Sequence, residues 1–126
     1  MIAYLDTHVV VWLAEGKLEK LSKTALDAVN HFDLRVSPLV LFELQYLFEI
    51  ERLMRPPAAI LRQLESQLDV QQCDFSLVKI TAVAMDEIWT RDPFDRLIVA
   101  HARANKYSPL ISKDETIHKN YSKVIL

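Results

Sequence analysis

The chain has 126 residues, 51% apolar and 25% charged, enough to bury the core of one compact domain and too apolar for a disordered segment. Its single Gly excludes a glycine-rich phosphate loop of the Walker or Rossmann kind, because such loops need backbone conformations that only glycine takes cheaply. A formal charge of −2 excludes strong long-range attraction to nucleic acid, although a basic rim or a bound cation can still offset acids at one site.

Ile2-Ala3-Tyr4-Leu5 is a short apolar run ending at Asp6, the pattern of a strand buried on both faces. Thr7 to Ala14 reads as a helix that either Asp6 or Thr7 caps. Ser22 caps a second helix running to about Phe32, and Leu34-Arg35-Val36 is a brief strand. Ser37-Pro38 is an N-cap and first-turn pair, predicting a helix to about Met54. Pro56-Pro57 breaks the chain before a helix from Ala58 to Leu68. Val70 to Phe75 is a candidate third strand, and Ser76 caps a helix through about Ile88. Asp92-Pro93 opens a helix ending near Asn105, Leu110-Ile111 is a strand, Ser112 to Tyr121 a short helix or turn, and Lys123 to Leu126 a final strand.

This alternation predicts βαβ crossovers, a parallel sheet and helices on both faces, all in one domain over residues 1–126. The most apolar span, Leu34 to Ile50, is interrupted by Arg35, Glu43, Gln45 and Glu49, so no membrane helix is expected. Cys73 stands alone, which predicts no internal disulfide and a reduced, cytoplasmic setting. The amino terminus lacks the basic region of a signal peptide.

Four acids stand out: Asp6, Glu43, Asp95 and Asp114. Asp6 follows the first buried strand, where open parallel sheets bind ligands, yet Asp is also a favoured cap. Glu43 lies about 200° around its helix from Gln45, opposite the polar face of Gln45, Glu49 and Arg52. A charge on the apolar side is costly unless it is paired, for example with Arg96, or binds a metal. Asp92 at N-cap with Pro93 at N1 is assigned mainly to structure, leaving Asp95 less explained. Ser112 and Glu115 fit a capping box, which would leave Asp114 free for a ligand. All-oxygen ligands suit Mg²⁺ or Mn²⁺, whereas zinc would bring His and Cys. His8, His31, His101 and His118 lack metal-ligand spacing and read as surface or core residues. Carboxylates so gathered would hold one or two ions that activate water for in-line attack on phosphorus.

Tyr4-Leu5-Asp6-Thr7-His8, the Ser37-Pro38 to Glu43 spacing, Arg91-Asp92-Pro93-Phe94-Asp95-Arg96-Leu97-Ile98 and Ser112-Lys113-Asp114 together resemble the PIN domain, most closely the VapC-type toxins of prokaryotic toxin–antitoxin pairs. The resemblance covers essentially the whole chain. It implies a three-layer α/β/α fold with a mainly parallel sheet of about four to five strands, and a metal-dependent endoribonuclease. Asp6, Glu43, Asp95 and Asp114 match the family's acidic positions, and Thr7 and Ser112 its ligand- or water-orienting hydroxyls. It further implies a homodimer and a small cognate antitoxin, which the apolar helix Leu39 to Met54 has surface to receive. Arg96 is the first candidate for substrate phosphate, with Arg91, Arg103 and Lys113 beside it.

Rival readings fare worse. A phospho-accepting receiver wants paired acids after its first strand, and here Asp6 is single; an Asp-x-Asp phosphatase fails because residue 8 is His. A non-catalytic interaction protein of the same fold is weakened by four filled acidic positions. A DNA-directed nuclease is not separable from a ribonuclease on sequence.

Overall fold

The computed structural model describes residues Met1–Leu126, and its backbone is organised by one five-stranded sheet of order β3-β2-β1-β4-β5. The strands are β1 (Ile2–Leu5), β2 (Asp33–Val36), β3 (Gln71–Gln72), β4 (Leu110–Ile111) and β5 (Val124–Ile125), and every neighbouring pair is parallel. Between them run α1 (Thr7–Glu15), α2 (Lys23–His31), α3 (Pro38–Glu49), α4 (Pro57–Leu68), α5 (Leu77–Ala84), α6 (Pro93–Ala104) and α7 (Glu115–Asn120). The result is the expected three-layer α/β/α arrangement with the full complement of five strands.

Three of the serines expected as caps do cap. Ser22 Oγ accepts from Ala25 N, Ser37 Oγ from Leu39 N and Ser76 Oγ from Lys79 N, at 3.0–3.2 Å. Each satisfies one of the backbone donors a helix start leaves open, worth about 1 kcal/mol apiece. Gly16, at the C-cap of α1, takes φ +71°, which only glycine adopts without strain.

Two helices are shorter than their sequence pattern. α3 stops at Glu49 rather than Met54: Glu51 turns left-handed at φ 61°, and the amides of Glu51 and Arg52 return to the carbonyls of Phe48 and Leu47. That closure aims Leu53 into the core, and no Gly marks it in the sequence. α5 ends at Ala84 rather than Ile88, because the next residues turn so that Glu87 enters the interior. The third strand contracts from Val70–Phe75 to Gln71–Gln72, with Val70 and Cys73 buried on either side.

The main core holds 26 buried residues, centred on the strands: Ala3, Tyr4, Leu5, Leu34, Leu110 and Ile111 are all essentially inaccessible. Burial of each large apolar side chain contributes about 1.5–3 kcal/mol. A separate small cluster of Ile80, Ala84 and Ala100 joins α5 to α6. No helix is long and apolar enough to cross a membrane.

The sheet order fixes where a ligand belongs. β1, β2 and β3 progress outward on one side, then the chain returns to place β4 on the other side of β1. The crevice beyond the carboxyl ends of β1 and β4 is therefore the topological switch point, the usual ligand position of open parallel sheets.

Candidate active site

The register that pairs Leu5 with Ile111 sets the next residues, Asp6 and Ser112, side by side at that crevice. Asp6 caps α1 and is buried; Oδ1 accepts from Thr7 N at 2.8 Å and Oδ2 from Ser112 Oγ at 2.6 Å. Ser112 Oγ also accepts from Asp114 N at 3.1 Å, so one fully buried hydroxyl ties the first acid to the last.

Asp114 is exposed, and contrary to expectation it is itself the N-cap of α7: Oδ1 accepts from Ile117 N at 2.8 Å. Its own side chain reaches the helix amides, so the Ser112/Glu115 capping box does not form, and only its second oxygen remains open to a ligand. Glu43 projects from α3 half-buried, and Oε1 accepts from Thr7 Oγ1 at 2.5 Å. Asp95 lies in the first turn of α6, half-buried, behind the Asp92 cap, whose Oδ1 accepts from Phe94 N and Asp95 N at 2.9 and 3.3 Å. The carboxyl of Asp95 makes no hydrogen bond within the protein.

No Lys or Arg pairs with any of these acids. The ion pairs of the fold are Met1–Asp33, Lys17–Glu15 and Arg103–Glu87, none of them at the crevice. Arg96, the expected alternative partner of Glu43, instead donates from Nε and Nη2 to the carbonyls of Ala84 and Met85, closing the end of α5. Its candidacy for substrate phosphate shrinks accordingly, because two of its three nitrogens are already committed. Arg103 lies at the far end of α6, held between the rings of Tyr107 and Tyr121 and paired with Glu87.

The electrostatic consequence is legible in the acids themselves. Burial, followed by repulsion from Asp92, Asp6, Asp114 and Glu43, raises the Asp95 carboxyl to about 7. Burial also raises Asp6, against the hydrogen bonds from Ser112 and Thr7, with Asp114 adding repulsion. Glu43 is raised by burial, opposed by the Thr7 hydroxyl, and then by Asp6 and Asp92. So Asp95 senses the other three acids, Asp6 senses Asp114, and Glu43 senses Asp6.

The structure adds two residues to that group. Asp92 is a cap as expected, yet its charge acts on Glu43 and Asp95. His8, exposed on α1, acts favourably on both Asp6 and Glu43. Its place one residue beyond Thr7 was the only signal for it in the sequence.

The donor set is all oxygen, which fits a hard divalent cation. No three of these side chains close on a single point as a complete cage.

Comparison with known proteins agrees with this fold. The family profile described as "PIN domain" matches residues 3–123. The chain is 34% identical over 119 residues to Ribonuclease VapC22 of Mycobacterium tuberculosis, covering 92% of this chain and 89% of that one. Among solved structures, its fold is similar to VapBC2 from Rickettsia felis bound to a promoter DNA fragment, at a TM-score of 0.69, 22% identity and coverage of 100% and 97%. It is also similar to DNA-bound VapBC from Salmonella typhimurium, at a TM-score of 0.61, 17% identity and coverage of 98% and 95%. A toxin–antitoxin complex from Klebsiella pneumoniae gives a TM-score of 0.60 at 16% identity, with coverage of 98% and 96%. With the acids gathered at the switch point of a five-stranded parallel sheet and a family match spanning nearly every residue, the chain belongs to the PIN domain family, in its VapC branch.

Proposed function

We propose that this protein is a divalent-metal-dependent endoribonuclease and the toxic member of a toxin–antitoxin pair. One observation carries the chemistry: Asp6, Glu43, Asp95 and Asp114 crowd a crevice with no Lys or Arg counter-ion, at the cost of raised proton affinity in three of them. Gathered carboxylates are retained against their own repulsion where a cation compensates them. The resemblance to a curated ribonuclease supports RNA as the substrate.

Asp6, Glu43, Asp95 and Asp114 would hold Mg²⁺ or Mn²⁺. When bound, the ion supplies an activated water and charge stabilisation at a phosphoryl oxygen. Thr7 orients Glu43, and Ser112 orients Asp6, so each hydroxyl fixes a carboxylate rather than reaching substrate itself. Second partners of this kind typically contribute 10–100-fold to metal affinity or activity. For the RNA backbone, Lys113 is exposed beside Asp114, Arg91 is exposed ahead of Asp92, and Arg96 retains its Nη1 edge.

Two partners follow. A second copy of the chain would cover the exposed apolar side chains of α3 and of α5 with its following turn, described below. A small antitoxin accords with the VapBC assemblies whose fold this chain shares.

Cleavage of a defined RNA by purified protein, with Mg²⁺, Mn²⁺ or EDTA, tests the reading. Asp6→Asn and Asp95→Asn are expected to lose about 100-fold or more in rate, and EDTA to abolish cleavage. Equal rates in the variants or in chelator overturn it, and a matched single-stranded DNA distinguishes a DNA-directed enzyme.

A further inference from the structure

Glu43 and Asp95 come from different helices, so their separation depends on how α3 is fixed to α6. Two contacts within that packing fix its direction. Ser37, the N-cap of α3, meets His101 late in α6, with Oγ and Nδ1 2.9 Å apart. Phe42, further along α3, meets Phe94 at the start of α6, with ring centroids 6.1 Å apart. Early α3 against late α6, and later α3 against early α6, means that the two helices run antiparallel.

The polar contact is the more exact of the two. Ser37 and His101 are both buried, at 0% and 2% exposure. His101 Nδ1 also lies 2.9 Å from the carbonyl of Leu97. A carbonyl only accepts, so the network assigns the proton to Nδ1, which donates to both Leu97 O and Ser37 Oγ. Ser37 Oγ accepts at the same time from Leu39 N, so one oxygen serves as helix cap and as inter-helix link. Burial lowers the proton affinity of the ring and keeps it neutral, as this arrangement requires.

The link stands at equal lever arms from both acids. Glu43 lies six residues beyond Ser37 and Asp95 six residues before His101, about 9 Å along each helix. Neither carboxylate bonds to the other helix. The Phe42–Phe94 contact is apolar and less directional than a hydrogen bond.

We propose that His101 is a positioning residue: by clasping the N-cap of α3 to α6 through Ser37, it sets the separation of Glu43 and Asp95 and thereby the metal-binding geometry of the site. The proposal rests on the nuclease reading above. It assigns His101 no contact with substrate or metal.

The test uses His101→Leu, which keeps the volume and removes the link; His101→Asn, whose amide can restore the donor; Ser37→Ala; and the double variant His101→Leu/Ser37→Ala. Single-turnover RNA cleavage and Mn²⁺ affinity by calorimetry are measured on each, below its melting transition. His101→Leu is expected to lower kcat about 10–100-fold with KM within about twofold, and to weaken Mn²⁺ binding severalfold. His101→Asn is expected to recover most of both losses. Ser37→Ala is expected to add little on the His101→Leu background, because one link is broken only once.

Folded His101→Leu with wild-type kcat and Mn²⁺ affinity overturns the proposal, as do losses from the two sites that simply add. Should His101→Leu fail to fold, Ser37→Ala against His101→Asn decides: the clasp predicts loss in the first and near-wild-type kcat in the second, and the reverse sinks it. Wild-type protein that cleaves no RNA and binds no Mn²⁺ removes the nuclease reading and the clasp together. Wild-type protein that cleaves RNA while His101→Leu matches it removes the clasp alone.

Discussion

Asp95 illustrates what a carboxylate held among other acids costs its own fold. Its proton affinity is raised to about 7 in the folded protein against an ordinary 3.8, by burial and by Asp92, Asp6, Asp114 and Glu43 in turn. A raised acid is bound more tightly to its proton in the folded state. Its contribution to stability is therefore fully present below about pH 4 and lost as pH rises through about 7. Metal-free protein is expected to lose stability across that window, and Mn²⁺ to restore it at pH 8. Asp95→Asn should flatten the dependence and stabilise the metal-free protein at pH 8 by about 1–2 kcal/mol, a figure already reduced for solvent screening at a half-exposed group. Urea titrations at pH 5 and pH 8, with and without Mn²⁺, measure it; an unchanged pH slope in the variant would refute the assignment. At this scale the sequence was informative about which residues matter and less so about their orientation. Glu43 stands out on the helical wheel, yet the side it shares with Tyr46 and Ile50 is largely solvent, not core. That Ser112 serves Asp6 depends on strand register between segments a hundred residues apart, which local pattern does not encode, whereas the Asp114 cap is a contact only three residues long that the Ser112/Glu115 reading of the same segment passed over.

Among the elements, α3 and α5 depart furthest from their sequence pattern, each at its carboxyl end. Capping serines, proline at N1 and the 3.6-residue period locate most helix starts, because those signals act within a turn of the residue that carries them. Helix ends were harder. α3 ends in a left-handed Glu51, and α5 ends where Arg96 takes its last carbonyls, both without a Gly or Pro to announce the stop. Beyond α5, Glu87 turns inward, paired with Arg103 and accepting from Trp89 Nε1 at 2.6 Å. Glu87 is nearly inaccessible, and removing one partner of such a pair leaves the other uncompensated. Glu87→Gln is expected to destabilise the protein by about 2–4 kcal/mol in urea unfolding. Cleavage per folded molecule should be unchanged, since the pair stands at the end of α6 remote from Asp95. A loss of activity in fully folded protein would instead place this pair in the catalytic machinery.

The molecule as a whole has more apolar surface than one chain can bury. Phe42, Tyr46 and Ile50 recur at helical spacing along α3, and Leu77, Val78, Met85 and Ile88 lie exposed on α5 and its following turn, with Val78 at 83% exposure and Ile88 at 71%. Single exposed apolar residues need no explanation, but a stripe on each of two helices marks an interaction surface. The crowding of apolar residues on α3, visible in the sequence, is thus partly exposed surface, which the proposed second copy would cover. Tyr46→Glu combined with Met85→Lys is expected to turn a dimer into a monomer in sedimentation velocity while leaving the far-ultraviolet circular dichroism unchanged. A wild-type protein that already sediments as a monomer removes the second copy as occupant.

The bond from Ser112 to Asp6 also gives the site a position in time. Its two ends are 106 residues apart, and the acid beside the hydroxyl, Asp114, comes later still. During synthesis Asp6 is made 106 residues before the hydroxyl that fixes it. Premature termination anywhere before Ser112 yields fragments that carry Asp6, and for most lengths Glu43, with no closed crevice to place them in. On the proposed reading, the site closes only once β4 has been inserted beside β1.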